Sequence, residues 1–158
     1  MPVDLTDRTL ELWLGVPSPF VARHQAQIVP NWQVSIASIL IILQRSHVPL
    51  IQKNPEVERE KDRLRAQFLI LAEAILPRLH AGGFAADAID PKSGYPLISR
   101  PGSVRHDDVT AAIATLGFAR LPGDCAAIVH PSWGSAVYPG ILLSSAPAGD
   151  LARVASGC

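Results

Sequence analysis

Residues 34–43 read Val-Ser-Ile-Ala-Ser-Ile-Leu-Ile-Ile-Leu, which is the longest apolar run of the chain. Between Trp32 and Gln44 the β-branched residues dominate, and this composition favours a strand that is buried on both faces. The run is about half of the roughly 20 residues that a membrane-spanning helix needs. The sequence therefore predicts a strand in the centre of a sheet.

A long helix is predicted directly after this strand. Asn54 occupies an N-cap position, Pro55 the first helical position, and glutamates follow where the helix dipole favours negative charge. Its apolar face is marked at three- and four-residue spacing by Leu64, Phe68, Leu71, Ile75 and Leu79. Pro77 is expected to kink the helix or end it early, and Gly82-Gly83 to terminate what remains.

Shorter elements fill the second half of the chain. We expect strands at 84–89 and 95–99 around a turn at 90–94, and then a helix from Asp107, its N-cap, to Leu116. Two further strands are predicted at 125–130 and 135–144, joined by a tight Pro-Ser-Trp-Gly turn at 131–134. The second of these strands is expected to be broken by Pro139-Gly140. This order predicts an α+β domain with a mostly antiparallel sheet, one long helix and one shorter helix.

The length of 158 residues fits a single domain, which we place at residues 31–148. Residues 1–30, with several prolines, are expected to form an extended arm with one short helix at 6–14. Residues 149–158 are rich in Ala and Gly and are expected to form a flexible tail. The arm is also a candidate surface for a homodimer.

Charge and cysteine content exclude several classes of protein. The 14 basic and 14 acidic residues balance, so no global positive field attracts nucleic acid or an anionic membrane. Two cysteines cannot make a disulfide framework, and Met1-Pro2-Val3-Asp4 does not begin a secretory signal. We therefore expect a cytoplasmic protein that binds neither nucleic acid nor membranes.

Common catalytic motifs are absent from the sequence. It contains no phosphate-binding glycine loop, Cys-x-x-Cys, His-Glu-x-x-His or Gly-x-Ser-x-Gly. His106, Asp107 and Asp108 are residue types that serve as acid, base or metal ligand. Because neighbouring side chains at a helix start point in different directions, and acidic residues there act as caps, the structural interpretation is favoured.

The residues around Cys125 leave two interpretations open. A cysteine at the start of an apolar strand is either buried or presented as a soft thiolate ligand, and Asp124 opposes the thiolate by its charge. His130 is either a structural residue or a ligand, held extended by Pro131. Trp133 and Tyr138 either pack in the core or stack on a flat cofactor.

From Glu56 onwards the chain resembles the methylmalonic aciduria and homocystinuria type D (CblD) family. The resemblance rests on ordered motifs with similar spacing: 56–60 (Glu-Val-Glu-Arg-Glu), 83–87 (Gly-Phe-Ala-Ala-Asp), 89–94 (Ile-Asp-Pro-Lys-Ser-Gly), 116–118 (Leu-Gly-Phe), Cys125, His130 and Trp133-Gly134. Together the similar regions cover roughly two thirds of the chain.

This resemblance implies a scaffold related to flavin nitroreductases, without flavin. It also implies a non-enzymatic adaptor in vitamin B12 (cobalamin) trafficking, which meets cobalamin in complex with a CblC-type corrinoid-processing partner and serves B12-dependent enzymes. The implied cofactor-binding residues are Cys125, Asp124, His130, Trp133 and Gly134. Cys125 is the candidate thiolate ligand to the cobalt of partner-bound cobalamin.

The sequence departs from the family at this point. The family has Gly-Cys-Cys where this chain has Gly123-Asp124-Cys125, and counting back from His130 places Cys125 on the second cysteine. Either Cys125 has taken over the role of cobalt ligand through a shifted loop, or cobalt ligation is absent and only the adaptor surface remains. The family's long N-terminal targeting region is also missing, which favours a cytoplasmic protein. A nitroreductase-like redox enzyme that binds flavin or a corrinoid is the alternative function.

Overall fold

The computed structural model describes residues 8–121 and 127–157. In chain order the elements are β1 (Leu10–Gly15), α1 (Pro19–Arg23), α2 (Gln25–Ile28), β2 (Ser38–Arg45), α3 (Pro55–Ala81), β3 (Ala86–Ile89), α4 (Asp108–Leu116), β4 (Ala119–Leu121), β5 (Ala127–Val129), β6 (Val137–Ser144) and α5 (Ala148–Ser156). In this part of the chain, no helix has the length and apolar character needed to cross a membrane.

Four strands form the main sheet in the order β1-β2-β6-β3, and each neighbouring pair is antiparallel. The predicted central strand is confirmed, since β2 lies between β1 and β6 and is buried from Ser38 to Gln44. It starts later than predicted because the Gln25 side chain holds the preceding segment. The amide of Gln25 donates to the Val34 carbonyl and accepts from the Ile36 N–H.

Helices cover both faces of this sheet, as a doubly buried strand requires. Leu40 and Ile42 of β2 pack with Phe68 of α3 and Leu151 of α5. Residues of β2 that alternate with these pack on the opposite face with α4 and Trp133. The α+β class and the antiparallel sheet are therefore confirmed.

Helix α3 begins as predicted, with the Val57 N–H donating to the Asn54 side chain at 2.9 Å. It does not end early at Pro77 but continues to Ala81. Pro77 and Glu73, four residues before it, are both exposed, so water can hydrate the carbonyl that loses its donor. Gly82 is the C-cap, as predicted.

The predicted break at Pro139-Gly140 is wrong, because β6 runs unbroken from Val137 to Ser144. Strand β3 ends at Ile89, opposite Ile141, so Pro139 has only β2 as a neighbouring strand. A proline is tolerated where one edge of a strand is free. Gly140 has its own reason to be glycine, since an added Cβ would lie 2.4 Å from the Phe68 ring.

The second strand predicted at 95–99 does not form. Only one bridge, between Ile89 and Pro96, continues the ladder. The backbone N–H groups of Ile98 and Ser99 instead donate to the Asp87 carboxylate, with a shortest distance of 2.6 Å. Around that bridge, the Asp90 N–H donates to the Tyr95 carbonyl and the Leu97 N–H to the Ala88 carbonyl, both at 2.9 Å. Backbone pairing therefore holds the segment as far as Leu97, and the Asp87 side chain holds it beyond that residue.

Both predicted chain ends need correction. The prediction of a short helix at 6–14 is wrong for the residues that the structure describes there. Leu10–Gly15 instead forms strand β1, which pairs along the edge of β2. The two short helices of the arm come later, as α1 and α2. The expected flexible tail instead forms α5, because Leu151 and Ala155 are buried in the cluster beside α3.

Candidate functional site

The tight Pro-Ser-Trp-Gly turn that the sequence predicts is present after β5. His130 and Gly134 exchange two backbone hydrogen bonds of 2.8 and 2.9 Å. Gly134 has a φ of 60°, a left-handed conformation that favours glycine. Strand β5 pairs with β4 in a separate two-stranded sheet, so the turn carries the chain from that small sheet into β6.

The ring of His130 is held by contacts to both of its nitrogens. Its Nδ1 accepts the backbone N–H groups of Ser132 and Trp133 at 3.0 and 3.1 Å. The proton must therefore lie on Nε2, which donates to Glu11 Oε1 at 2.7 Å. With both nitrogens occupied and the residue 5% exposed, this geometry leaves His130 no free lone pair for a metal.

Trp133 stacks on His130 with ring centroids 4.1 Å apart and an angle of 11° between the planes. Phe118 meets the His130 ring edge-on at 5.5 Å, and Trp13 meets Phe118 edge-on at 6.5 Å. We call Trp13, Phe118, His130 and Trp133 the aromatic cluster. One face of Trp133 is thus already covered by an imidazole, and Trp133 is 8% exposed.

Cys125 and Asp124 lie outside the described residues, as does Cys158. The flanking residues Leu121 and Ala127 are described, and they pair directly as the last residue of β4 and the first of β5. In the described ranges, no three His, Cys, Asp or Glu side chains are grouped to hold a metal ion. The cofactor-binding roles of Cys125, Asp124, His130, Trp133 and Gly134 stay predictions.

A cavity of about 590 Å³ opens beside the small sheet. Its wall includes the start of α4, part of α3, Ala127 and Ile128 of β5, and Tyr138 of β6. Ala127 is two residues after Cys125 in the sequence. The cavity therefore adjoins the strand on which the sequence places the candidate thiolate.

The wall of this cavity contains a buried pair that the sequence interpretation missed. Asp107 caps α4 as predicted, with its carboxylate accepting the Thr110 N–H at 3.0 Å. His106 Nδ1 and Asp108 Oδ1, however, lie 2.7 Å apart, and both residues are buried. Asp107 is extended, with φ −99° and ψ 100°, so the side chains on either side of it point the same way.

The second oxygen of Asp108 has no donor. Oδ2 is buried and accepts no hydrogen bond from any residue in the described ranges. Burial raises the pKa of Asp108 to about 6, although the His106 hydrogen bond opposes this shift. Burial and the charge of Asp108 likewise raise the pKa of Tyr138.

Arg65 and Asp90 connect α3 to the turn beside the cavity. The guanidinium donates two hydrogen bonds to the carboxylate at 2.8 and 2.7 Å, the bidentate geometry that Arg and carboxylates favour. This contact holds the pKa of Asp90 below its ordinary value. Asp90 also accepts the Lys92 N–H, so the turn predicted at 90–94 is confirmed.

Comparison with known protein families matches residues 17–154 to the family described as methylmalonic aciduria and homocystinuria type D protein. The chain belongs to this family. Two curated relatives, from Rattus norvegicus and Mus musculus, are both named "Cobalamin trafficking protein CblD". Each is 31% identical over 127 residues, which is 80% of this chain and 43% of the relative.

The family match confirms the resemblance, and its range shows which residues of the site lie inside the matched region. The cavity wall, Phe118 and the turn from His130 to Gly134 all lie within residues 17–154. Two residues of the site precede the matched range: Glu11, which accepts the hydrogen bond from His130, and Trp13, which belongs to the aromatic cluster. This type D family member spans less than half the length of the curated relatives it matches.

Proposed function

We propose that this chain is a non-enzymatic cobalamin-trafficking adaptor that docks a CblC-type corrinoid-processing partner. The observation that carries the proposal is the family match over residues 17–154, together with two relatives named for cobalamin trafficking. The same family supports a scaffold related to nitroreductases, without flavin. Cobalamin is then cargo, met in complex with the partner and passed towards B12-dependent enzymes.

Within this function, Cys125 offers a thiolate to the cobalt of the partner's cobalamin. Thiolate and cobalt suit each other because both are soft and polarizable. The structure supports a fixed platform for such a ligand, since the strand after Cys125 is paired to β4 and ends at Val129, next to His130. His130 then ties that end of the strand to β1 through its hydrogen bond to Glu11, and Trp133 stacks on the His130 ring.

An exposed apolar edge supports docking of a protein. Strand β1 is the outermost strand of the main sheet, and Leu12, Trp13 and Leu14 are each 42% exposed. An open strand edge with apolar side chains is a surface that another chain can cover. We assign this edge to the corrinoid-processing partner, and a second copy of this chain is the competing occupant.

The visible spectrum of cobalamin tests the cobalt ligand. Cobalamin-loaded CblC-type partner is mixed with the wild-type chain, with Cys125→Ser, or with Cys158→Ser as the matched control. We expect a shift of the cobalamin bands with wild type and Cys158→Ser and no shift with Cys125→Ser. An unshifted spectrum with the wild-type chain, or an equal shift with Cys125→Ser, contradicts ligation by Cys125.

A further inference from the structure

Strand β1 carries unpaired backbone groups along its outer edge. It runs antiparallel to β2, and the Arg45 N–H donates to the Thr9 carbonyl at 2.9 Å. Inter-strand hydrogen bonds alternate along an antiparallel ladder, so the odd-numbered residues of β1 bond to β2. The N–H and C=O groups of Leu10, Leu12 and Leu14 therefore point away from the sheet, and no residue in the described ranges hydrogen-bonds to them.

This edge lacks the features that usually keep edge strands from pairing, which include lysine, proline and a bulge. From Leu10 to Gly15 the sequence contains no lysine or proline, and the pairing with β2 is continuous, without a bulge. The charged residue of the strand is Glu11, whose side chain is 11% exposed and accepts a hydrogen bond from His130. The edge therefore presents no free charge to an added strand.

We propose that two copies of this chain pair through their β1 strands, antiparallel about a two-fold axis at Leu12. In this register Leu12 lies opposite Leu12 of the second copy, and Leu10 lies opposite Leu14. Every outward N–H and C=O group of the three leucines then has a hydrogen-bond partner on the other chain. The two-fold axis makes the interface the same patch on both copies, and it joins the two main sheets into one.

The side chains of β1 also match in this register. The three leucines, from 37% to 42% exposed, lie on the face where Leu40 and Ile42 pack with α3, so pairing joins those of both copies into one apolar stripe. On the other face, Glu11 lies opposite Trp13 of the second copy, so like charges do not meet. A shift by two residues would leave one leucine of each copy opposite a residue outside the strand.

This self-complementary register is the reason to assign the edge to a second copy when the corrinoid-processing partner is absent. The partner is proposed to dock on the same edge, so the two associations exclude each other. The dimer is then the form of the chain that partner docking dissociates. The pairing itself does not depend on the proposed function, and the chain alone is enough to test it.

Amide hydrogen exchange of the wild-type chain alone, followed by NMR over about a hundredfold range of concentration, tests the pairing of the edge. We expect the Leu10, Leu12 and Leu14 amides to exchange about tenfold or more slowly at the highest concentration than at the lowest. The Glu11 and Trp13 amides, which bond to β2, should be protected throughout. Exchange at the three leucines that does not depend on concentration overturns the proposal.

Two variants separate the backbone groups of the edge from its side chains. Leu12→Pro removes the outward N–H but keeps the ladder to β2, as an edge strand tolerates, whereas Leu12→Val keeps the N–H. By sedimentation equilibrium we expect Leu12→Pro to weaken dimerisation about tenfold or more and Leu12→Val by less than about threefold. A monomeric wild-type chain, or a folded Leu12→Pro that dimerises as tightly as wild type, overturns the proposal. Either result leaves partner docking untouched.

Discussion

His130 donates from Nε2 to Glu11 Oε1 at 2.7 Å, although 119 residues separate the two in the chain. This hydrogen bond joins the edge strand β1 to the turn that follows β5. Both side chains are largely buried, at 5% and 11% exposed. The turn that follows the small sheet is therefore hydrogen-bonded to the edge strand of the main sheet.

Replacing Glu11 should loosen that attachment. Glu11→Ala leaves His130 Nε2 buried without an acceptor, and we expect a loss of about 1–3 kcal/mol in the free energy of unfolding. Glu11→Gln keeps an acceptor oxygen and should lose less than half of that amount. Chemical denaturation of the two variants measures the difference, and equal stability of both with wild type would show that the contact contributes nothing.

Gly140 and Gly149 give a matched pair of glycine substitutions. Gly140→Ala places a Cβ 2.4 Å from the Phe68 ring and should cost about 1–3 kcal/mol through overpacking. Gly149→Ala, in the first turn of α5, meets nothing within 4 Å and should be neutral or stabilise by up to about 1 kcal/mol. Thermal denaturation distinguishes the two, and a stable Gly140→Ala would mean that α3 does not approach β6 this closely.

Asp108 should make stability fall as pH rises. Its pKa is about 6 in the folded protein against 3.8 as the ordinary value, so between these pH values the folded state binds more protons than the unfolded state. The buried charge therefore destabilises the fold above about pH 6, and acid relieves the penalty.

The neutral variant Asp108→Asn reports this penalty. We expect it to be about 1 kcal/mol more stable than wild type at pH 8, since the relief of a buried charge exceeds the cost of an unpaired amide group. The difference should shrink as pH falls towards 4. A constant difference between pH 4 and pH 8 would exclude the raised pKa as its cause.

The exposed face of β1 should govern docking. Leu12→Glu combined with Leu14→Glu places charge on an apolar edge, and we expect affinity for the corrinoid-processing partner to fall about tenfold or more. The exposed α3 residue Ile70, 67% exposed, provides the control as Ile70→Glu. Sedimentation of the chain alone distinguishes the partner from a second copy of the chain as the occupant of this edge. If the wild-type chain is a dimer and these substitutions dissociate it, the edge binds a second copy.

The elements that the sequence predicts well are those with local signals. Asn54 with Pro55, and Asp107 with Gly117, each bound a helix through contacts made within a few residues. The apolar run of β2 is long enough to require cover on both faces. In contrast, β1 is a strand only because β2 offers it an edge, and α5 forms because α3 supplies a place to bury Leu151.

The candidate site was only partly predictable for the same reason. The tight turn after β5 follows from Pro131 and Gly134, but the Glu11 contact spans almost the whole chain. Pro139 is tolerated because β3 ends before it reaches Pro139, and the sequence near Pro139 does not indicate where β3 ends. The His106 and Asp108 pair had a usable signal, since an extended N-cap residue places the side chains on either side of it on one face.

Sedimentation velocity followed at the visible absorbance of cobalamin tests the central proposal most directly. The chain has no chromophore of its own at these wavelengths, so only cobalamin held by the CblC-type partner is observed. We expect the cobalamin boundary to sediment faster when the wild-type chain is added in equimolar amount. A boundary that sediments at the same rate with and without the chain would contradict its role as a docking adaptor.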